Sequence, residues 1–540
     1  MIGVTRPFRQ PFWFWLLLAV LASGSVLYLT RLGPGAGGDS TSYLMGAENL
    51  LLGNGFSRYS GGYEIRPITG FPPVYSVALA AAGLTGLELV EAARLLNAVL
   101  FGANVGLTSA IVYSLTRSTW GSILAGLLFM ARTMLLELHA WVMSEPLFIF
   151  LSLVSACLLG RYLNDRGMGW LIAAGTVTAL ACLTRYVGAA LVGTGLVGIA
   201  LFGPPDLRRR GRDGLIFAGL SLIPLLMWLA RNRAAAGTAV NRGLSYHPME
   251  PELVRLFLAD ISSWFVPHQV PLPTGVRATL AIGIAAAVLG GFVILLGRHW
   301  LKWDRTGLLM VGPAGTRLAA VPWLLALYAA GGLFITWLNS TLLDAATTAA
   351  APSRYLAPVF AASLILFVTA AVHLLRLMSG RRRPGRIAAA AGLVLLAFYI
   401  YNSLGFFRDP LPRLGYTGRK LLSPELVAAL AQIPAESPIV SNNPELIYIL
   451  AGRPAYVRPI HYDPYQAEYR DDYELQFAQL EAQLGRGGVF VVFDELEADD
   501  LAVIERMDLQ LLAQYPMAQI FGHPSGPTFG GLYPPNSDLA

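Results

Sequence analysis

Eleven apolar runs of about 20 residues each, the length needed to carry a helix across the ~30 Å hydrocarbon core of a bilayer, fill most of the first 405 positions of this chain. They fall at 12–31, 92–115, 119–136, 141–162, 168–184, 187–203, 214–230, 276–297, 318–338, 355–377 and 387–404. A chain so patterned has little choice of backbone, because lipid offers no partners to unpaired N–H and C=O groups and only helices or closed barrels satisfy them. A composition with 55% hydrophobic and 13% charged residues and a mean hydropathy of +0.54 agrees. The expected fold is an α-helical polytopic membrane protein with about 11 transmembrane helices over 1–405, followed by an extracytoplasmic α/β domain over 406–540.

Charge placement orients the chain. The segment 71–87 is apolar but short, opens on Phe71-Pro72-Pro73 and is interrupted by Gly83 and Gly86. If it stays on one side, then Arg6, Arg9, Arg117, Arg161, Arg166, Arg208 to Arg212, Arg298 to Arg305, and Arg376 with Arg381 to Arg383 share a face. That is the positive-inside pattern, so 71–87 reads as a surface helix within an outer loop, 33–90. The N-terminus is then cytoplasmic and the C-terminal region outside, in a multi-pass protein of the cell membrane. Compact loops lean toward a bacterial source. Residues 1–32 resemble a secretory signal only superficially, since the apolar run is long and lacks a small-residue cleavage site.

A net charge of +6 does not indicate nucleic acid, because the bases sit in short inner loops while roughly half of the acids follow residue 410. Cys157 and Cys182 lie inside apolar runs and build neither a disulfide framework nor a metal site. Gly193-x-Gly195-x-x-Gly198 has no preceding strand and reads, like Gly102-x-x-x-Gly106, as a surface for close helix packing. Asn339-Ser340-Thr341 matches a short sequon of the kind common by chance.

Beyond Leu404 the pattern changes. Helices are expected from Ser423-Pro424 to about Ile433, over Pro444 to Ala451, Tyr465 to Leu484 and Glu497 to Met507, with strands at Ile439–Ser441, Ala455–Val457 and Gly488–Phe493. No catalytic constellation stands out among them.

Ionisable residues at the outer membrane boundary need a reason. Asp39, Glu145, Arg185, Arg231 and Arg354 all sit there. The motifs around them are Gly38-Asp39-Ser40…Tyr43…Ala47…Asn49-Leu50…Gly53-x-Gly55-Phe56, then Phe71-Pro72-Pro73, and Ser144-Glu145-Pro146-Leu147-Phe148. Leu183-Thr184-Arg185-Tyr186, Trp228-x-x-Arg231-Asn232 and Arg354-Tyr355-x-x-Pro358 follow. Together these resemble polyprenyl-phosphate-dependent glycosyltransferases of the GT-C superfamily, within it the protein O-mannosyltransferase and aminoarabinose-transferase relatives. The likeness covers the membrane half to about residue 405. Asp39 is followed by Ser40, so the paired acids of one family variant are absent.

The resemblance implies a GT-C-like fold and transfer of a sugar from a polyprenyl-phosphate donor to a lipid, glycan or protein acceptor, with inversion. A phosphate leaving group needs no strong general acid, unlike a sugar alkoxide. Asp39 is the expected base, against a simpler role as helix N-cap. Glu145 is the second candidate, for orienting the acceptor or holding a divalent cation, against a first-turn residue favoured by the helix dipole. Arg185, Arg231 and Arg354 are expected to clamp the donor phosphate, against snorkelling to ordinary lipid. Arg58, Tyr59, Arg66, Tyr75, His139, Tyr186, Asn232 and Tyr355 complete the candidate contacts. The rival class is a transporter or lipid-binding protein without catalysis, which would place charges near mid-membrane and show inverted halves. Here the charges crowd one face.

Overall fold

The computed structural model describes residues 12–59, 62, 64–241, 246, 248–266, 272–299, 301–303, 309–311, 318–342, 352–377, 382–463, 468–485 and 487–524. Arg6, Arg9, Arg305 and Arg381 lie outside the described residues. Among the described residues seven helices are long and apolar enough to cross a membrane: Phe12–Leu29, Leu89–Thr116, Glu145–Asp165, Leu207–Ala236, Val321–Leu342, Ser353–Arg376 and Ala390–Arg408. The run expected as a single span over 119–136 is instead two helices, Thr119–Ala131 and Thr133–Ala140, bent by 60° at Arg132. Counted as one span, that pair makes eight.

The remaining expected spans are Met168–Cys182, Tyr186–Phe202 and the helix Thr274–His299, whose fully described apolar part is Thr274–Ile284. At 1.5 Å per residue the first of these is only ~22 Å long, short of the hydrocarbon thickness. By length and composition, the described residues hold seven or eight full-length spans and several shorter apolar helices.

Small residues set the helix spacing. A Cβ on Gly102 would lie 2.5 Å from the carbonyl oxygen of Ala19, so the first span and Leu89–Thr116 touch backbone to side. A Cβ on Gly195 would meet the Phe217 ring at 2.2 Å, and one on Gly198 the Leu324 side chain at 2.6 Å. The glycine-rich 193–198 stretch is thus a packing surface inside the helix Ala189–Phe202. Phe101, Phe129 and Phe148 fill the centre of the bundle with no exposed surface.

Over one end of the bundle lies a layer made by the helix Gly38–Leu51, the hairpin Ser57–Tyr59/Ile65–Pro67 and the helix Val74–Gly83. Val74–Gly83 has 10 residues, ~15 Å, half of what a span requires. It packs flat against Gly38–Leu51, with the Tyr43 and Tyr75 rings edge to face at 5.0 Å. Gly46 permits this layer: a Cβ there would lie 2.8 Å from the Phe56 ring.

Past Leu422 the chain builds a five-stranded sheet in the order Gln510–Tyr515, Ala518–Gly522, Val489–Phe493, Ile439–Ser441, Tyr456–Val457. The first two pairings are antiparallel and the last two parallel. Val489–Phe493 is buried along its whole length, as a central strand covered on both faces should be. Helices Pro424–Gln432, Pro444–Ala451, Tyr473–Leu484 and Ala498–Arg506 cover it. The expected helix Tyr465 to Leu484 is shorter, beginning at Tyr473, while 464–467 lie outside the described residues. The hairpin Gln510–Tyr515/Ala518–Gly522 was not expected from sequence. Tyr448 ties the sheet region to this layer, its hydroxyl donating to Glu48 Oε2 at 2.8 Å.

Candidate active site

Four charged side chains converge where the layer of Gly38–Leu51 and Val74–Gly83 meets the bundle. Glu145 opens the helix Glu145–Asp165, which Pro146 in the first turn preorganises, and its side chain is wholly buried. Arg185 sits on extended backbone between the helix Met168–Cys182 and the single turn Tyr186–Gly188, and places Nη1 2.8 Å from Glu145 Oε1. Arg354, in the first turn of the helix Pro352–Leu377, donates through Nε to the same carboxylate. Its Nη2 lies 2.6 Å from Asp39 Oδ2. The result is a chain of alternating charge, Asp39, Arg354, Glu145, Arg185, formally neutral.

Exposure differs among the four. Side-chain accessibility falls from 31% at Asp39 to 18% at Arg354, 14% at Arg185 and 0% at Glu145. Asp39 is therefore the mouth of the site and Glu145 its floor. Glu145 Oε2 is buried with no hydrogen-bond partner among the described residues.

Asp39 does not cap its helix. The N-cap is Gly37, whose N–H donates to Ser40 Oγ at 3.1 Å, leaving the Asp39 carboxylate to face Arg354. Ser144 joins the two sides: its hydroxyl pairs with Tyr43 Oη at 2.8 Å and accepts from Arg185 Nη1 at 3.1 Å. Burial raises the Tyr43 phenol well above its ordinary range, with Arg185 acting in the opposite sense, so it remains a neutral hydroxyl. Arg58, on the hairpin, donates to Ser42 Oγ at 2.9 Å, one turn along from Asp39. Tyr59 and Tyr355 are half-buried.

Other candidates lie apart from this cluster. Arg231 donates to the carbonyls of Ile68 (3.0 Å) and Phe56 (3.1 Å) and lies over the Trp228 ring. Asn232 donates to Thr69 O, Tyr186 Oη and Ala239 O, and Tyr186 donates to Thr69 O. These three pin the hairpin and the residues after it onto the helix Leu207–Ala236. Tyr75 is buried and donates to Asn97. His139 is held between Leu135 O and Asn104 Nδ2, against the Phe101 ring. Its Nδ1 must donate to the carbonyl, and Nε2 then accepts from the amide. Arg66 pairs with Glu64 in solvent.

Sequence reasoning passed over Ser144 and Trp141 as individual contributors. The signal for Trp141 was the run Gly33-Pro34-Gly35-Ala36-Gly37-Gly38, too glycine-rich for anything but close approach to a large group. For a divalent cation the donor set does not fit: Asp39 and Glu145 are both engaged by guanidinium groups, which would repel it. An apolar cavity of about 710 Å³, lined by Leu124, Leu128, Phe360, Phe367, Leu396 and Tyr399, contains none of the four charged residues.

A family model described as dolichyl-phosphate-mannose-protein mannosyltransferase matches residues 67–203, a segment that holds Glu145 and Arg185 but neither Asp39 nor Arg354. No curated protein matches the chain. The match and the fold bear out the resemblance to GT-C glycosyltransferases and indicate an enzyme of that class. In fold the chain is similar to ArnT from Cupriavidus metallidurans in the apo state, with a TM-score of 0.58 at 13% identity over 94% of this chain and 97% of that one. It is also similar to ArnT from the same organism bound to undecaprenyl phosphate, with a TM-score of 0.56 at 12% identity over 95% and 98%.

Proposed function

We propose that the chain moves a sugar from a polyprenyl-phosphate donor to an acceptor hydroxyl or amine at the outer face of the membrane. The observation that carries this is the alternating cluster of Asp39, Arg354, Glu145 and Arg185 at the bundle's outer end. Arg354 and Arg185 supply two guanidinium groups for the donor phosphate, and Glu145 holds both in place from below. As the phosphate takes up Arg354, Asp39 at the mouth becomes the base for the incoming acceptor.

In a single displacement the acceptor's lone pair attacks the anomeric carbon from the face opposite the phosphate. Its proton passes to Asp39, and the bond from anomeric carbon to phosphate oxygen breaks with both electrons leaving on the phosphate. The arginines stabilise that charge more strongly than they would in water, because the site is largely dry. Attack from the opposite face inverts the anomeric centre. The sheet region, joined to the outer layer through Tyr448 and Glu48, shapes acceptor access.

Binding of undecaprenyl phosphate tests the clamp. Charge-assisted hydrogen bonds contribute about 1.5–3 kcal/mol each, so Arg354→Ala or Arg185→Ala is expected to weaken binding roughly 10- to 100-fold. Binding unchanged in both folded variants would remove the phosphate clamp. Arg231→Ala should act differently. It removes the side-chain donor to the Ile68 carbonyl, while the Phe56 carbonyl keeps the Ile68 N–H, at a cost of about 1–3 kcal/mol seen as a lower melting temperature.

Sidedness has its own test. Glu495 and Gly211 are both exposed, on the sheet region and at the opposite, arginine-rich end of the bundle. In intact cells a membrane-impermeant thiol reagent is expected to label Glu495→Cys and spare Gly211→Cys. Labelling of Gly211→Cys would overturn the orientation.

A further inference from the structure

Asp39 and Glu145 come from distant parts of the chain, and something other than Arg354 must fix their separation. The segment Gly35–Ala36, just before Asp39, is the middle strand of a small backbone-bonded unit. On one side Gly35 N–H donates to Ala140 O at 2.9 Å, and Val142 N–H donates to Gly35 O at 2.8 Å. On the other, Ala36 N–H donates to Leu414 O at 3.2 Å and Tyr416 N–H to Ala36 O at 2.9 Å, while Thr417 Oγ1 donates to Pro34 O at 2.7 Å. One neighbour strand runs directly into Ser144 and Glu145. The other belongs to the connection between the membrane bundle and the sheet region.

The indole of Trp141 fills the space among these strands. A Cβ on Gly35 would lie 2.5 Å from its ring, one on Gly37 3.2 Å, and one on Gly415 2.6 Å. Trp141 Nε1 donates to Arg413 O at 2.8 Å, closing the unit from the far strand. Gly415 has φ +55°, the left-handed region, and an added Cβ would also stand 2.5 Å from Ala36 O. Leu414 and Trp141 also pack on the bundle core, and Tyr416 on the sheet core. What the close fit holds in register is the two acids.

We infer that Trp141 and Gly415 are positioning residues for sugar transfer: they lock the strand that presents Asp39 against the one that presents Glu145, making the Arg413–Thr417 connection part of the active-site framework. The inference rests on Asp39 acting as the base. Misplacing a reacting group by about 1 Å costs on the order of 10²-fold in rate. Displacing this strand therefore lowers kcat while leaving the two arginines to bind the donor.

The test is a double-mutant cycle on the full-length protein in lipid, with transfer from a labelled polyprenyl-phosphate sugar and binding of undecaprenyl phosphate as readouts. Gly415→Ala and Trp141→Ala should each lower kcat at least 10-fold with the donor KM within about 3-fold. Trp141→Phe, which keeps one ring but loses the Nε1–H donor and part of the fit against Gly35, Gly37 and Gly415, should lower kcat by a smaller factor, about 3- to 10-fold. In an Asp39→Asn background each should cost far less than in the wild type, because a group already unable to take the proton gains nothing from correct placement. Wild-type kcat in folded Gly415→Ala and Trp141→Ala, or losses that add fully to that of Asp39→Asn, would overturn the inference while leaving the transfer reaction intact. If neither variant folds, Trp141→Phe carries the cycle with its smaller loss: that loss should shrink in the Asp39→Asn background, and wild-type kcat or a fully additive loss would overturn the inference. Near-normal transfer by Asp39→Asn alone would instead remove Asp39 as the base.

Discussion

Asp39→Asn lowers sugar transfer by at least about 10²-fold while undecaprenyl phosphate binding falls no more than a few-fold. Asparagine matches aspartate in size and its amide oxygen still accepts from Arg354, whose Nη2 lies 2.6 Å from the carboxylate, so the local geometry survives. It takes no proton at neutral pH. The helix also keeps its start, because Gly37 and Ser40 cap it without Asp39. Loss of turnover in this variant is therefore a statement about chemistry, and melting and donor binding measured on the same sample verify that. Near-normal turnover would shift the base to another group.

Glu145→Gln should injure the fold first. Glu145 is fully buried and serves as counter-charge to both Arg185 and Arg354, which are themselves mostly buried. Removing one partner of a buried pair leaves charge uncompensated and costs about 3–5 kcal/mol. A clear drop in melting temperature is expected. It should be partly reversed by undecaprenyl phosphate, whose anion meets the same guanidinium groups and, at 100 times its dissociation constant, returns about 2.7 kcal/mol. A variant that melts like the wild type, or gains nothing from the lipid phosphate, would contradict the role of Glu145 as floor of a phosphate site.

Much of the site was legible because charge at a membrane boundary is costly and therefore informative. Asp39, Glu145, Arg185 and Arg354 were each conspicuous in apolar surroundings, and the structure brings these four together. Arg231 was equally conspicuous and went elsewhere. Its partners are the carbonyls of Phe56 and Ile68, groups every residue carries, so no sequence pattern announces them. His139 had the same difficulty, with its acceptor the carbonyl of Leu135 and its donor an amide 35 positions away.

Hydropathy located the helical half but not the break at Arg132. Neither Pro nor Gly marks that bend; the arginine itself does, reaching Ser263 across the bundle, and only tertiary structure supplies that partner. In the sheet region Ile439–Ser441 and Pro444–Ala451 were predicted to the residue, since a β-branched pair, Asn-Asn-Pro and a terminal Gly punctuate them. The closing hairpin escaped notice because Gln510–Tyr515 is not cleanly alternating and carries a register shift between Leu511 and Ala513.

The most direct measurement is turnover itself. Purified protein in lipid is incubated with a panel of labelled polyprenyl-phosphate sugars, and release of free polyprenyl phosphate is followed in the wild type and in Asp39→Asn. The account predicts consumption of at least one donor by the wild type, with release slower by at least about 10²-fold in the folded Asp39→Asn protein. Equal release by both proteins, with each still binding undecaprenyl phosphate, would contradict it.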